Sequence, residues 1–396
     1  MRRLSDESRL SLALFGVGWG ANQFTPLLVV YRTRFGLSAA MLGALFGCYA
    51  LGLIPGLLAG GPLSDARGRK PVVLPFLVVS VLATGILIAG SVWEPALAIG
   101  RVIAGLVSGV VFGAGSAWLL ETSPSRNPKR AALAVTAGFC LGPLVAGVVA
   151  DVLPWPTIVP YLPHLVLMAV ALPGAFAARE TGVVGARHHR TPPSPDVRRL
   201  FRRRIIPLAP FVFASVGVTV VVLPTRFPSL PHPVTVVGLM NGITLGAGAL
   251  IQRLGRRLEG AAPGRAAQAG LLCAVLGWAL AGWTAAQPTI AGVVLTMLLM
   301  GAAYGLCLVG GMAEVGRMAS DVTRGTLVGW FYAWAYVGFG APFLVSWAGH
   351  HLGVPQALLV GSAVAVLSLL IRQGGAPSTV RELPHPVVPS RPPGGL

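Results

Sequence analysis

Twelve apolar runs of about twenty residues constrain this chain more than any other feature. They lie at roughly 10–31, 39–60, 71–91, 95–119, 131–152, 158–178, 205–225, 235–253, 266–285, 288–313, 325–348 and 353–372. A helix rises ~1.5 Å per residue, so each run matches the ~30 Å hydrocarbon thickness of a bilayer. Inside lipid the backbone must satisfy its own hydrogen bonds, which leaves helices or a closed barrel. Barrel strands would alternate over about ten residues; these runs are continuous, so helices are predicted. Composition agrees. Only 11% of the 396 residues are charged, and 54% are hydrophobic. Mean hydropathy is +0.75, which leaves too little polar surface to cover a water-soluble globule.

The net charge of +18 invites a nucleic-acid reading, but the cations cluster in short connections between apolar runs, with few aromatics among them. With the N-terminus in the cytoplasm, 26 of the 30 Lys and Arg fall in the tails and even-numbered connections. Three fall on the other side, Arg32, Arg34 and Arg226, and Arg101 lies within a helix. The positive-inside rule then places both termini in the cytoplasm. Residues 1–24 resemble a signal peptide in outline. Their apolar stretch is long and no small-residue cleavage site follows, so a retained first helix is expected. Cys48, Cys140, Cys273 and Cys307 sit inside apolar runs without CxxC spacing, and are read as small buried hydrophobes. Neither a metal nor a cofactor is called for. The preponderance of Arg over Lys, with abundant Ala and Gly, points to a GC-rich bacterial host.

The longest polar interruption, 179–204, divides the chain into six helices (1–178) and six more (205–372). Its Pro, Ser and Arg content predicts a flexible cytoplasmic linker, with an amphipathic piece at 196–204 on the anionic inner leaflet. The Pro-rich tail, 373–396, is expected to be disordered. The halves echo each other. Glu121 and Arg130 flank the connection after helix four, and Glu314 and Arg324 the one after helix ten. Helices two and eight both carry glycines four residues apart, Gly43 and Gly47 against Gly238, Gly242 and Gly246. Such repeats place a binding site at their interface, near the bilayer midplane.

After the second run the chain reads Gly61-Pro62-Leu63-Ser64-Asp65-Ala66-Arg67-Gly68-Arg69-Lys70. This resembles the loop motif that joins helices two and three in the major facilitator superfamily, matching at Gly61, Leu63, Asp65, Gly68, Arg69 and Lys70, with Ala66 in place of the usual basic residue. Glycines permit a tight turn and close backbone approach. Asp65 can face a helix N-terminus, and the cations can pair with Glu121 or Glu314. Together with Arg130 and Arg324 these groups would form a latch between the halves that breaks when the cytoplasmic side opens. The alternative is a loop that only sets topology.

Helix four carries Arg101, Gly105, Gly109 and Gly113 near one face, resembling the family's R-x-x-x-G pattern. A buried Arg costs about 2.5–3.5 kcal/mol on insertion scales, so Arg101 needs a partner or a wet cavity, unless it snorkels to the outer headgroups. In related proton antiporters this arginine is implicated in proton transfer or substrate handling. Helix five contains Gly138, Gly142, Pro143 and Gly147, resembling the G-x-x-x-G-P-x-x-G-G motif of drug and proton antiporters, with Ala146 for one glycine. Gly-Pro would bend the helix and small residues would let neighbours approach; a generic kinked helix is the alternative.

The resemblance implies an all-α major facilitator fold of two pseudo-symmetric six-helix bundles, acting as a monomer, with helices one, four, seven and ten around a cavity. Candidate pathway residues are Asn22, Gln23, Arg101, Asn241 and Tyr304; adjacent Asn22 and Gln23 cannot both face the cavity. The rings of helix eleven, Trp330, Phe331, Tyr332, Trp334, Tyr336 and Phe339, suit an apolar substrate as a set, although lipid-facing or packing roles fit each singly. His164 is expected to be structural. No acidic residue lies mid-membrane in helices one or seven, so a cationic substrate lacks a counter-charge. The expected function is proton-coupled export of a small, largely apolar molecule across a bacterial plasma membrane, without nucleic acid. The alternatives are proton-driven uptake of a metabolite, and a non-transporting receptor or scaffold on the same fold. No catalytic constellation suggests an enzyme.

Overall fold

In the computed structural model the described residues are 5–123, 129–182, 192–227, 231–320 and 323–373. Eleven helical spans among them are long and apolar enough to cross a bilayer: Asp6–Phe35, Ala39–Arg67, Arg69–Ala89, Pro95–Thr122, Arg130–Val152, Val159–Ala177, Pro233–Ala261, Arg265–Ala286, Ile290–Met318, Arg324–Leu352 and Val354–Gln373. A shorter apolar helix, Pro210–Arg226, completes the twelve as the seventh span. The end where the first span begins and the last finishes is the terminal end; the opposite is the far end.

Side-chain caps set several starts. Ser5, Ser38 and Thr289 each accept a backbone N–H of the first turn of spans one, two and ten, supplying acceptors for donors that have no partner within the helix. The span interiors are less regular than the runs suggest. The first span is interrupted at Gln23, between Asp6–Asn22 and Phe24–Phe35. Pro26 offers no N–H to the carbonyl four residues earlier. The fourth span carries a π-turn at Val111–Gly115 and the seventh another at Val218–Val222.

Glycine sets how closely the spans pack. A Cβ on Gly105 would collide with the Tyr49 carbonyl and one on Gly109 with the Leu53 carbonyl, so span four lies directly on span two. Gly113 makes no such approach; its nearest neighbour is Leu57 Cδ1 at 3.9 Å from the Cβ position. Gly138 and Gly142 meet Trp19 on span one.

Several expected boundaries move. The 61–70 stretch is not a loop throughout. Span two stays helical to Arg67, Gly68 alone makes the turn at φ 97°, and span three restarts at Arg69. Gly68 needs its lack of a Cβ; Gly61 has nothing within 4 Å of its Cβ position and makes no close approach. Span eight continues to Ala261, so Arg253, Arg256 and Arg257 extend a helix rather than occupy a connection. Arg372 lies in the last helical turn of span twelve and is buried against Glu314. Within the expected linker, 179–182 is fixed to the first half: Trp118 Nε1 donates to the Arg179 carbonyl at 2.7 Å. Pro195–Arg204 is helical, capped by Ser194, with Phe201 buried edge-on to Trp330. Residues 183–191 and 374–396 lie outside the described set.

Candidate functional site: a cavity between the halves

The halves meet at the far end. Gly147 of span five packs on Val234 and Thr235 of span eight, and Gly238 on Pro143, each with backbone 2.6 Å from the Cβ position. Gly43 of span two abuts the Phe343 backbone of span eleven at 2.5 Å from its Cβ position. One carboxylate crosses the seam. Asp151 Oδ2 accepts the Thr235 backbone N–H at 2.7 Å. His232, the N-cap of span eight, makes no side-chain cap bond, so Asp151 serves a donor its own helix leaves unpaired, where an anion is favoured.

Below this seam lies a cavity of about 600 Å³. It runs from Ala21, Phe46 and Arg101 to Leu120, Ala131 and Gly325, at the terminal-end turns of spans four, five and eleven. It is therefore closed at the far end and reaches the surface at the terminal end. Aromatic rings from three spans form its blind end. Phe213 stacks on Tyr336 at 4.7 Å, Phe46 on Phe339 at 4.9 Å, and Phe213 lies 5.0 Å from Phe339. Tyr49, Tyr304 and Tyr332 continue the wall.

Of the predicted pathway residues, Asn22, Arg101, Asn241 and Tyr304 line the cavity. Gln23 is buried behind it, its amide 3.5 Å from Thr84, which also bonds His164 Nδ1 at 2.8 Å. Asn22 is committed locally. Its amide donates to the Phe139 carbonyl at 3.0 Å, and it accepts from Thr25 at 2.9 Å. Phe139 stands four residues before Pro143, which supplies no N–H to that carbonyl; the Gly-Pro pair thereby creates the acceptor that Asn22 fills. Asn241 differs: it is 1% exposed, and neither amide atom has a hydrogen-bond partner in the protein.

Arg101 does not snorkel to the headgroups. It is 1% exposed. Its Nη1 donates to the Ala21 carbonyl at 2.8 Å, and Nε and Nη2 to those of Leu45 and Phe46 at 3.4 Å. The guanidinium also lies over the rings of Phe24 and Tyr49, at 4.8 and 4.6 Å. Phe46, Tyr49, Phe112, Phe139 and Phe213 were not singled out from the sequence. Isolated rings in apolar runs carry no signal of which face they occupy. On span eleven Tyr332, Tyr336 and Phe339 face the cavity, while Phe331 is packed inside and Trp334 is exposed.

At the terminal end Arg69, Arg130, Arg317 and Arg372 each pair within their own half. Arg69 bridges Asp65 at 2.5 Å and Glu121 at 2.9 Å, and also bonds Ser64. The position facing a helix N-terminus, expected for Asp65, is held by Glu180, which accepts the Arg69 and Lys70 backbone N–H at 3.0 and 2.8 Å. Burial would raise the Glu180 carboxyl, but donors from Gly182, Lys70, Arg69 and Thr181 outweigh it and hold it below the usual carboxylate range. Lys70 Nζ bonds the Ala178 carbonyl, and Arg130 pairs with Glu7 at 2.8 Å. In the second half Glu314 pairs with Arg372 at 2.6 Å, and Arg317 with Glu259 at 2.9 Å. The loop cations therefore do not reach Glu314. Arg372 occupies it. Arg324 opens span eleven.

Two bundles closed at one end over a central cavity are the architecture of a transporter that alternates access between two sides. The sequence profile of the Major Facilitator Superfamily matches residues 10–341, and the chain belongs to that family. A Haemophilus influenzae protein, provisionally described as a metabolite transporter, is 32% identical over 174 residues, covering 42% of this chain and 40% of that protein. The quinolone resistance protein NorA of Staphylococcus aureus is 27% identical over 143 residues, covering 35% of this chain and 37% of NorA. The matches thus span well under half the length of these relatives. In three dimensions the nucleoside transporter NupG superposes with a TM-score of 0.71 at 14% identity, over 94% of this chain and 99% of that one.

Proposed function

We propose that this protein is a secondary active transporter that exports a small, largely apolar compound from a bacterial cytoplasm in exchange for protons, acting as a monomer with both termini inside. The cavity carries this reading: it is sealed at the far end, open at the terminal end, and walled by apolar and aromatic side chains of both halves. The positive-inside bias supports placing the terminal end in the cytoplasm, so the cavity would accept its occupant there. Uptake of a metabolite by symport is the second reading; the description of the Haemophilus influenzae relative as a metabolite transporter supports a metabolite as substrate in either direction. In this proposal the Asp65–Arg69–Glu121 cluster, with Gly68 and Lys70, is one half of a cytoplasmic latch in its released state.

Thiol labelling tests the orientation of the cavity. Ser116→Cys lines it near the terminal end. In a background without the four native cysteines, an impermeant maleimide should label this thiol in everted membrane vesicles and leave it unlabelled in intact cells. Labelling from intact cells alone would reverse the assignment.

A further inference from the structure

We infer that the cavity is built for an aromatic anion, a flat ring system bearing one carboxylate or comparably acidic group; this rests on the transport function proposed above. The first support is charge. Among the described residues lining the cavity, Arg101 is the charged side chain, and no Asp or Glu accompanies it. The other buried Arg and Glu among the described residues, Arg372 and Glu314, match each other. Arg101 instead rests on three carbonyl oxygens and two ring faces. Those dipoles solvate the guanidinium without cancelling its charge, whereas buried charges ordinarily have counter-charges. A full positive charge therefore stands at the blind end, where low-dielectric walls strengthen its field. A cation entering meets repulsion with no carboxylate to offset it.

The donor count agrees. A guanidinium has five N–H groups. Nε, Nη1 and Nη2 each use one on a carbonyl, which leaves one on each terminal nitrogen. Two oxygens of a carboxylate suit such a fork. The walls supply the rest of the chemistry. Phe46, Phe213, Tyr336 and Phe339 pack on one another at the same end and line the cavity, an aromatic wall that suits an aromatic body. Asn241, buried and without a protein partner, offers a donor and an acceptor to a second polar group. Arg101 belongs to the first half and Asn241 to the second, so one occupant held by both would tie the halves together.

The test uses the full chain in nanodiscs and three probes that share a ring and differ in charge: 2-naphthoate, 2-naphthylmethanol and 2-naphthylmethylammonium. Naphthoate should bind about tenfold or more tighter than the ammonium compound, with the alcohol between them. Arg101→Gln should bring naphthoate down to the level of the alcohol. A monodisperse elution profile and an unchanged helical circular dichroism spectrum serve as the check that the variant is folded, so the ratio of naphthoate to alcohol affinity is the readout. Arg101→Lys should keep part of the preference. Asn241→Ala should weaken the probes without reordering them. Ammonium binding as tight as naphthoate, or an anion preference that survives Arg101→Gln, overturns the inference. If none of the three binds, this aromatic-anion site is refuted, while proton-driven flux of any other compound would leave the transporter reading standing.

Discussion

Gly105 and Gly61 belong to two different motifs in the sequence and have opposite surroundings. Gly105 faces the Tyr49 carbonyl so closely that a methyl group cannot be added without moving span four from span two, whereas Gly61 faces open space. Overpacking a tight contact costs ~1–3 kcal/mol, and an unconstrained surface change stays within about 0.5 kcal/mol. Gly105→Ala should therefore lower the thermal midpoint in detergent by several degrees, and Gly61→Ala should leave it within error. Equal midpoints would refute the packing account of span four. The sequence makes the small-residue face of span four readable from its four-residue spacing. It does not reveal that Gly113, in the same series, makes no close approach, because the π-turn at Val111–Gly115 rotates that part of the helix. Arg101 is similar. Its need for partners follows from burial alone, but its carbonyl partners lie 55, 56 and 80 residues away in the chain, and no local pattern identifies them.

Among the helices, carboxylates from elsewhere serve as caps. Spans three, eight and nine begin after Gly68, His232 and Gly264, none of which makes a side-chain cap bond. Their first-turn N–H groups are taken by Glu180, Asp151 and Glu259. Two of these caps stay within one half; the Asp151 cap joins the halves at the closed end. An anion at a helix N-terminus contributes about 0.3–1 kcal/mol, and losing the acceptor costs ~1 kcal/mol. Asp151→Ala should therefore shift the population severalfold toward an open far end. Spin labels at Leu153 and His232, both at that end, should report a larger share of long distances in the variant. Unchanged distance distributions would show that glycine packing alone holds the seam. On the terminal side, Asp65→Asn removes one anchor of Arg69. Transport should fall severalfold while membrane expression stays normal; undiminished transport would reduce the 61–70 motif to a topology signal.

At the scale of the whole molecule, the twelve spans and their order were legible because lipid imposes a length that sequence displays directly. The central cavity was legible only in part. Asn22, Arg101, Asn241 and Tyr304 were recognisable as polar groups in apolar runs. Their aromatic neighbours come from spans two, four, five, seven and eleven, and only the approach of those spans assembles them. The conformation was not legible at all, since the sequence of a protein that alternates access would have to specify both the form closed at the far end and its counterpart. Alternation between those forms is the central claim, and flux in proteoliposomes with an imposed pH gradient tests it most directly, whichever way the protein inserts. Exchange for protons predicts accumulation of an aromatic substrate in an acidic lumen, abolished when the gradient is collapsed. Accumulation in an alkaline lumen would establish symport instead. Absence of flux in either direction, across a broad panel of anionic, neutral and cationic compounds, would contradict the transporter account.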